Sequence, residues 1–174
     1  MVTALTGTPG TGKTTIAEHL REEGYDVLDL NDFIEQNGLK KEEDEFRDTF
    51  NVDIEELKQI YQRKAPSHQI VEGHLSHHLY VDKIIVLRCD PKELRERMTS
   101  KDWLGRKKKE NIEAEVLDII LVEAMDLCEK VFEIDTTNKG PEEVKEAVIE
   151  ILKGRTKRYQ PGKIDWSEDY LLKE

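Results

Sequence analysis

The residues whose types and spacing point most directly to chemistry are Gly7-Thr8-Pro9-Gly10-Thr11-Gly12-Lys13-Thr14-Thr15. They fit G-x-x-x-x-G-K-[ST], the pattern of a loop that wraps phosphate with its own backbone. Gly7, Gly10 and Gly12 let the chain bend so that several N–H groups, Thr11's among them, turn inward onto phosphate oxygens. A following helix N-terminus adds a positive dipole end. In such a loop Lys13 bridges the β- and γ-phosphates, the Thr14 hydroxyl ligates Mg²⁺, and Thr15 reaches the α-phosphate. The plain alternative is a chance glycine turn. The flanks argue against it, since residues 2–6 read as a strand and residues 16–23 as a helix. The motif specifies a nucleoside triphosphate and leaves the reaction open.

A second group surrounds Ile70-Val71-Glu72-Gly73-His74. An acid at the end of a buried strand beside the phosphate loop orients Mg²⁺ or its water shell, and Glu72 is the candidate. His74, two residues on, could position a water or a phosphate oxygen; its plain reading is a local hydrogen bond. His74 and His78 are four apart, and His77 lies between them. No acid or cysteine sits at a matching spacing, so a transition-metal site is not expected there.

Three further segments could complete a site. Arg97 and Lys101 lie four apart where a mobile lid would close over a nucleotide, one placed to stack on a base and the other to touch phosphate. Of the run Arg106-Lys107-Lys108-Lys109, only one or two side chains are expected to reach a ligand, because charge runs are usually solvated faces. Residues 29–52 are polar and acidic, with Asp32 and Arg47 as candidates for the phosphate acceptor; a lone arginine in such a stretch is more often a surface ion pair. The loop after residue 135 carries Asn138 and Lys139, which could frame a base at the carboxyl end of a strand.

These groups need a scaffold, and the apolar pattern supplies one. Strand-like segments recur at residues 2–6, 27–28, 69–72, 83–87 and 131–135, with helical patterns between most of them. That alternation predicts an α/β fold: one domain with a five-stranded parallel sheet in the order 2-3-1-4-5, flanked by helices and carrying a short lid. Gly24 and Gly154 read as helix stops. Asp90-Pro91-Lys92-Glu93 reads as a capping box. Residues 109–129 read as the longest helix. Residues 155–174 read as an extension, docked on the domain or kept for a partner.

The chain of 174 residues suits a single domain. Its 27 Lys+Arg against 38 Asp+Glu give a net charge of −11, which argues against bulk nucleic-acid binding but leaves local basic patches. Two distant cysteines exclude a disulfide scaffold and suit a reducing cytoplasmic setting. No leader segment or membrane span is expected.

Taken together, the phosphate loop, Val71-Glu72-Gly73-His74, Leu87-Arg88-Cys89-Asp90, Glu96-Arg97-Met98 and Glu110-Asn111-Ile112 resemble the adenylate kinase isoenzyme 6-like family. The likeness covers about residues 1–152. It implies a small nucleotide kinase transferring the γ-phosphoryl group of MgATP to AMP, with ATPase activity. It places Gly10, Gly12, Lys13, Thr14 and Thr15 on ATP, Lys101 at a lid contact and Lys139 in the adenine loop. It also implies a part in small ribosomal subunit assembly, with a small-subunit ribosomal protein and rRNA as partners. Two departures stand out: Glu72 occupies a position more often held by aspartate, and Lys101 one more often held by arginine.

Overall fold

The computed structural model describes residues 1–44, 49–64, 68–99 and 105–167, with the side chains of residues 41–50 left aside. Arg47 and Lys101 therefore lie outside the described residues or side chains. Five strands form one parallel sheet: β1 (Thr3–Gly7), β2 (Val27–Asp29), β5 (Ile70–Glu72), β6 (Lys83–Arg88) and β7 (Val131–Asp135). Their order is β2-β5-β1-β6-β7, which is 2-3-1-4-5 when the five are counted alone. Short apolar runs buried on both faces explain why these segments pair in parallel. A separate antiparallel hairpin, β3 (Lys40–Asp44) with β4 (Thr49–Val52), is an addition that the polar sequence there did not signal.

Alternating residues send the sheet's side chains to opposite faces. Leu5, Ile85 and Leu87 pack with Ile16 and Leu20 of α1 (Lys13–Glu22) and Val148 of α7 (Pro141–Leu152). Ala4, Ile84 and Val86 face Leu121 and Ala124 of α6 (Ile119–Leu127). A third cluster joins α2 (Leu30–Gln36) and α3 (Ile54–Lys64) to Val71. Gly24 (φ 89) closes α1, and the Tyr25 N–H returns to the Leu20 carbonyl.

Two local expectations need correction. The helix expected at 109–129 is two helices, α5 (Gly105–Val116) and α6, broken where Asp118 turns left-handed at φ 54. The break serves two surfaces. Ile112 and Val116 pack on Cys89, Leu94 and Met98 around α4 (Pro91–Arg97), whereas α6 packs on the sheet. Arg88 pins the corner by pairing with both Glu115 and Asp118. The capping box is only half formed. The Asp90 carboxylate accepts from Lys92 N–H at 2.7 Å, but Glu93 turns to Arg97 and to Asn138 N–H. The Asp90 N–H that Glu93 was expected to hold is taken by Thr137 Oγ1 at 2.8 Å.

Candidate active site

The phosphate loop sits where β1 turns into α1. Gly7 (φ 141) is required by close approach, because a Cβ there would lie 2.4 Å from the Leu87 carbonyl oxygen. Gly12 (φ 99) is the residue before α1 and directs the chain into the helix through the left-handed region. Lys13 Nζ donates to the carbonyls of Gly7 at 2.8 Å and Thr8 at 3.1 Å, so its ammonium lies along the loop. Thr11 Oγ1 donates to the Thr8 carbonyl, bracing the loop internally.

Glu72 ends β5, in register with Leu5 on one side and Asp29 on the other. It is 1% exposed, and Thr14 Oγ1 donates to it at 3.4 Å. Burial, with the Asp29 carboxylate beside it, pushes its pKa up to about 7. His74 lines the same cavity, and burial next to Lys13 lowers its pKa to about 4. It is therefore neutral at pH 7 and can act by hydrogen bonding rather than by charge.

These groups open onto one cavity of about 790 Å³. Gly10, Gly12, Lys13, Thr14 and Thr15 line its floor, with Glu72, His74 and Arg97 around them. The far wall is Asn31 and Ile34 of α2, Lys40 of β3 and Val52 of β4. The roof is Lys107, Glu110, Asn111 and Ala114 of α5. Of the basic run at 106–109, it is Lys107 that lines the cavity. Arg97 donates to Glu93, to the Thr136 carbonyl and to the Thr11 carbonyl, tying α4 to the loop.

Two candidates are not brought here. Asp32 lies one residue past Asn31, which turns it to a depression beside Glu18, Arg21 and Asp29. Lys139 donates to the Asp135 carbonyl and lines a separate groove of about 480 Å³. The residues that sequence reasoning missed are Asp29, Asn31 and Glu115. Asp29 had a signal, an acid ending a second strand.

Glu115 had none. Its carboxylate accepts from Thr8 Oγ1 at 2.5 Å, from the Cys89 N–H at 3.1 Å and from Arg88 Nε at 2.7 Å. It therefore ties α5 to the phosphate loop from behind. Arg88 in turn lies 3.6 Å from Glu133, whose other oxygen accepts the N–H groups of Lys163 and Ile164. The C-terminal segment is thus docked at those residues.

A sequence profile of the AAA domain matches residues 4–118. Archaeal proteins named "Putative adenylate kinase" align along nearly the whole chain. The Archaeoglobus fulgidus protein is 48% identical over 95% of this chain and 92% of its own length. The Pyrococcus abyssi protein is 44% identical over 98% and 93%. The chain belongs to this archaeal family. Its likeness to the family supports a nucleotide kinase. Solved structures of shikimate kinases share the fold: the crystal structure of that from Bacteroides thetaiotaomicron has a TM-score of 0.59 at 18% identity, covering 88% of this chain and 98% of its own. Another, from Acinetobacter baumannii in complex with shikimate, also has a TM-score of 0.59, at 15% identity, covering 88% and 93%. Among the described residues, no helix is long and apolar enough to cross a membrane.

Proposed function

We propose that this family member transfers the γ-phosphoryl group of MgATP to AMP, giving two ADP. The observation that carries the reading is the one cavity joining the phosphate loop to the α2–β3–β4 wall, so that donor and acceptor can meet within it. In this reading Gly10, Thr11, Gly12, Lys13, Thr14 and Thr15 hold the triphosphate, and Arg97 and Lys107 approach it from the lid side. Lys13 leaves the Gly7 and Thr8 carbonyls for the bridging phosphate oxygens, where it offsets charge that grows as the γ-phosphoryl group moves. The neutral His74 orients a phosphate oxygen or a water by hydrogen bonding. Glu115 keeps Thr8 in place throughout.

Thr14 and Glu72, with Asp29 against it, suit Mg²⁺. They are hard oxygen donors, and a divalent cation would relieve the repulsion between the buried Glu72 carboxyl and the partly exposed Asp29 carboxylate. Bound there, Mg²⁺ would supply charge neutralisation to the phosphates. We assign residues 1–154 to the kinase domain, 29–52 to acceptor binding, about 100–110 to the lid and 155–174 to an extension. Arg47, Asp32, Lys101 and Lys139 are secondary candidates. A cytoplasmic location fits the cysteine usage.

One observation favours a second reading, an ATP-driven switch that acts on a small-subunit ribosomal protein and rRNA with AMP phosphorylation incidental. Among the described residues, the acceptor wall offers Lys40 as its cation, and Lys40 is paired with Glu35 at 3.3 Å. A kinase of another small acceptor is the third possibility. Turnover with MgATP, alone and with each nucleoside monophosphate, separates them when products are resolved by chromatography. The kinase reading expects AMP to accelerate ADP formation, two ADP per ATP consumed. Equal release of ADP and phosphate with or without acceptor would replace it with the switch.

A further inference from the structure

Beside the cavity, one cluster has no part in the reading above. A 3₁₀ turn (Ser76–His78) follows β5 and carries His77 and His78, while α6 brings Glu123 to them from far along the chain. The acid that the sequence spacing lacked is therefore supplied by the fold. His77 Nε2 lies 3.0 Å and His78 Nε2 3.9 Å from Glu123 Oε2, and all three atoms lie within 4.8 Å of one another. Tetrahedral Zn²⁺ with ligands at about 2.0–2.2 Å sets its ligand atoms about 3.3 Å apart, so these separations bracket the required spacing.

The other side of His77 decides what faces Glu123. Its Nδ1 lies 3.0 Å from Thr6 Oγ1, and Thr6 Oγ1 donates to the His74 carbonyl at 3.3 Å. A hydroxyl has one proton. In the tautomer that leaves that proton on the carbonyl, Nδ1–H is the donor and the Nε2 lone pair faces the carboxylate; in the other, Nε2–H makes an ordinary hydrogen bond to Glu123. In the first, two acceptors face each other at 3.0 Å, and a cation placed between them joins both. A ring N–H held by a hydroxyl, with the opposite nitrogen directed to a shared point, is how metal-ligating histidines are oriented.

We propose that His77, His78 and Glu123 form a transition-metal site of the Zn²⁺ class. Two imidazoles and one carboxylate suit Zn²⁺, Co²⁺ or Ni²⁺ and do not suit Mg²⁺. The glutamate and His78 are partly exposed, so the fourth position opens to solvent. The metal would pin α6 to the turn after β5 and, through Thr6, to the strand that feeds the phosphate loop. The site is separate from the Thr14–Glu72 pair and does not depend on the kinase reading.

The test uses the untagged full chain, stripped with chelator, without nucleotide. Titration with Co²⁺ should give one equivalent bound with the intense visible bands of four-coordinate geometry, and Zn²⁺ should displace it and raise Tm. Glu123→Gln and His78→Ala, both at partly exposed positions, should each weaken binding at least tenfold and keep the fold. Histidine ¹⁵N NMR should show His77 protonated at Nδ1 and metal-bound at Nε2. Absence of the bands and of a Zn²⁺-dependent rise in Tm would overturn the proposal, as would binding unchanged in both variants. A His77 ring that carries its proton at Nε2 with Zn²⁺ in excess would overturn it too, leaving an ordinary hydrogen bond to Glu123.

Discussion

On the phosphate-loop side, the cavity is lined by the turn between a buried strand and a helix. On the side proposed for the acceptor it is lined by a short helix and a two-stranded hairpin. The phosphate side is braced three deep: Gly7 against Leu87, Thr8 against Glu115, and Arg88 behind Glu115. The acceptor wall rests on one apolar cluster of α2, α3 and β5. Gripping phosphate needs N–H groups at fixed positions, which only a rigid frame provides. Choosing an acceptor needs shape, which a few side chains can change.

That contrast can be broken at either end. Lys13→Ala should lose turnover by about 10³-fold with an unchanged circular dichroism spectrum, since it removes transition-state charge stabilisation and little packing. Unchanged turnover would remove the phosphate loop from the reaction. Next in size, Glu115→Ala should cost about 3 kcal/mol in denaturant unfolding, because it leaves the buried Arg88 guanidinium with Asp118 and Glu133 alone and takes the acceptor from the Thr8 hydroxyl and the Cys89 N–H.

Glu72 sharpens the comparison through pH. Its carboxyl titrates near 7 in the folded chain and near 4.5 when unfolded, so the native state holds the extra proton. Stability should therefore fall as pH rises from about 4.5 to 7, by at most roughly 3 kcal/mol. Glu72→Gln should flatten that slope and melt above wild type at pH 8, while Mg²⁺-dependent turnover is lost. A wild-type slope retained in the variant would assign the effect to another group. On the acceptor side, Asn31→Ala should raise KM for the acceptor about tenfold or less and leave KM for ATP alone. An equal rise in both would dissolve the distinction between the two walls. Smallest, Asp90→Ala should cost about 1 kcal/mol, the usual value of an N-cap.

What could be read in the sequence follows the same division. The phosphate loop, the Glu72 strand end and the five parallel strands were legible, because each rests on a local pattern: glycine spacing, a strand-terminal acid, a short apolar run. Asn31 and Glu115 were not, nor which member of the basic run 106–109 would line the cavity, because these depend on which element lies opposite. Asp32 and Asn31 are neighbours of similar shape, and only the phase of α2 decides which one meets the cavity. The break at Asp118 was invisible for a related reason. The residues around it are apolar on every side, so the period runs straight through, and the bend is imposed by Arg88 from another strand. Glu123 escaped a search by spacing because it joins His77 only through the fold.

The docked C-terminal segment has a consequence for how the protein is made. Glu133 receives its two backbone donors from Lys163 and Ile164, which are synthesised thirty residues later. Strands β1, β5, β6 and β7 can all pair before those donors leave the ribosome. Until then Glu133, an acid buried beside Arg88, faces the interior short of two hydrogen bonds. The segment made last therefore supplies the hydrogen bonds of a carboxylate that the sheet buries, so its docking and the satisfaction of that charge are one event.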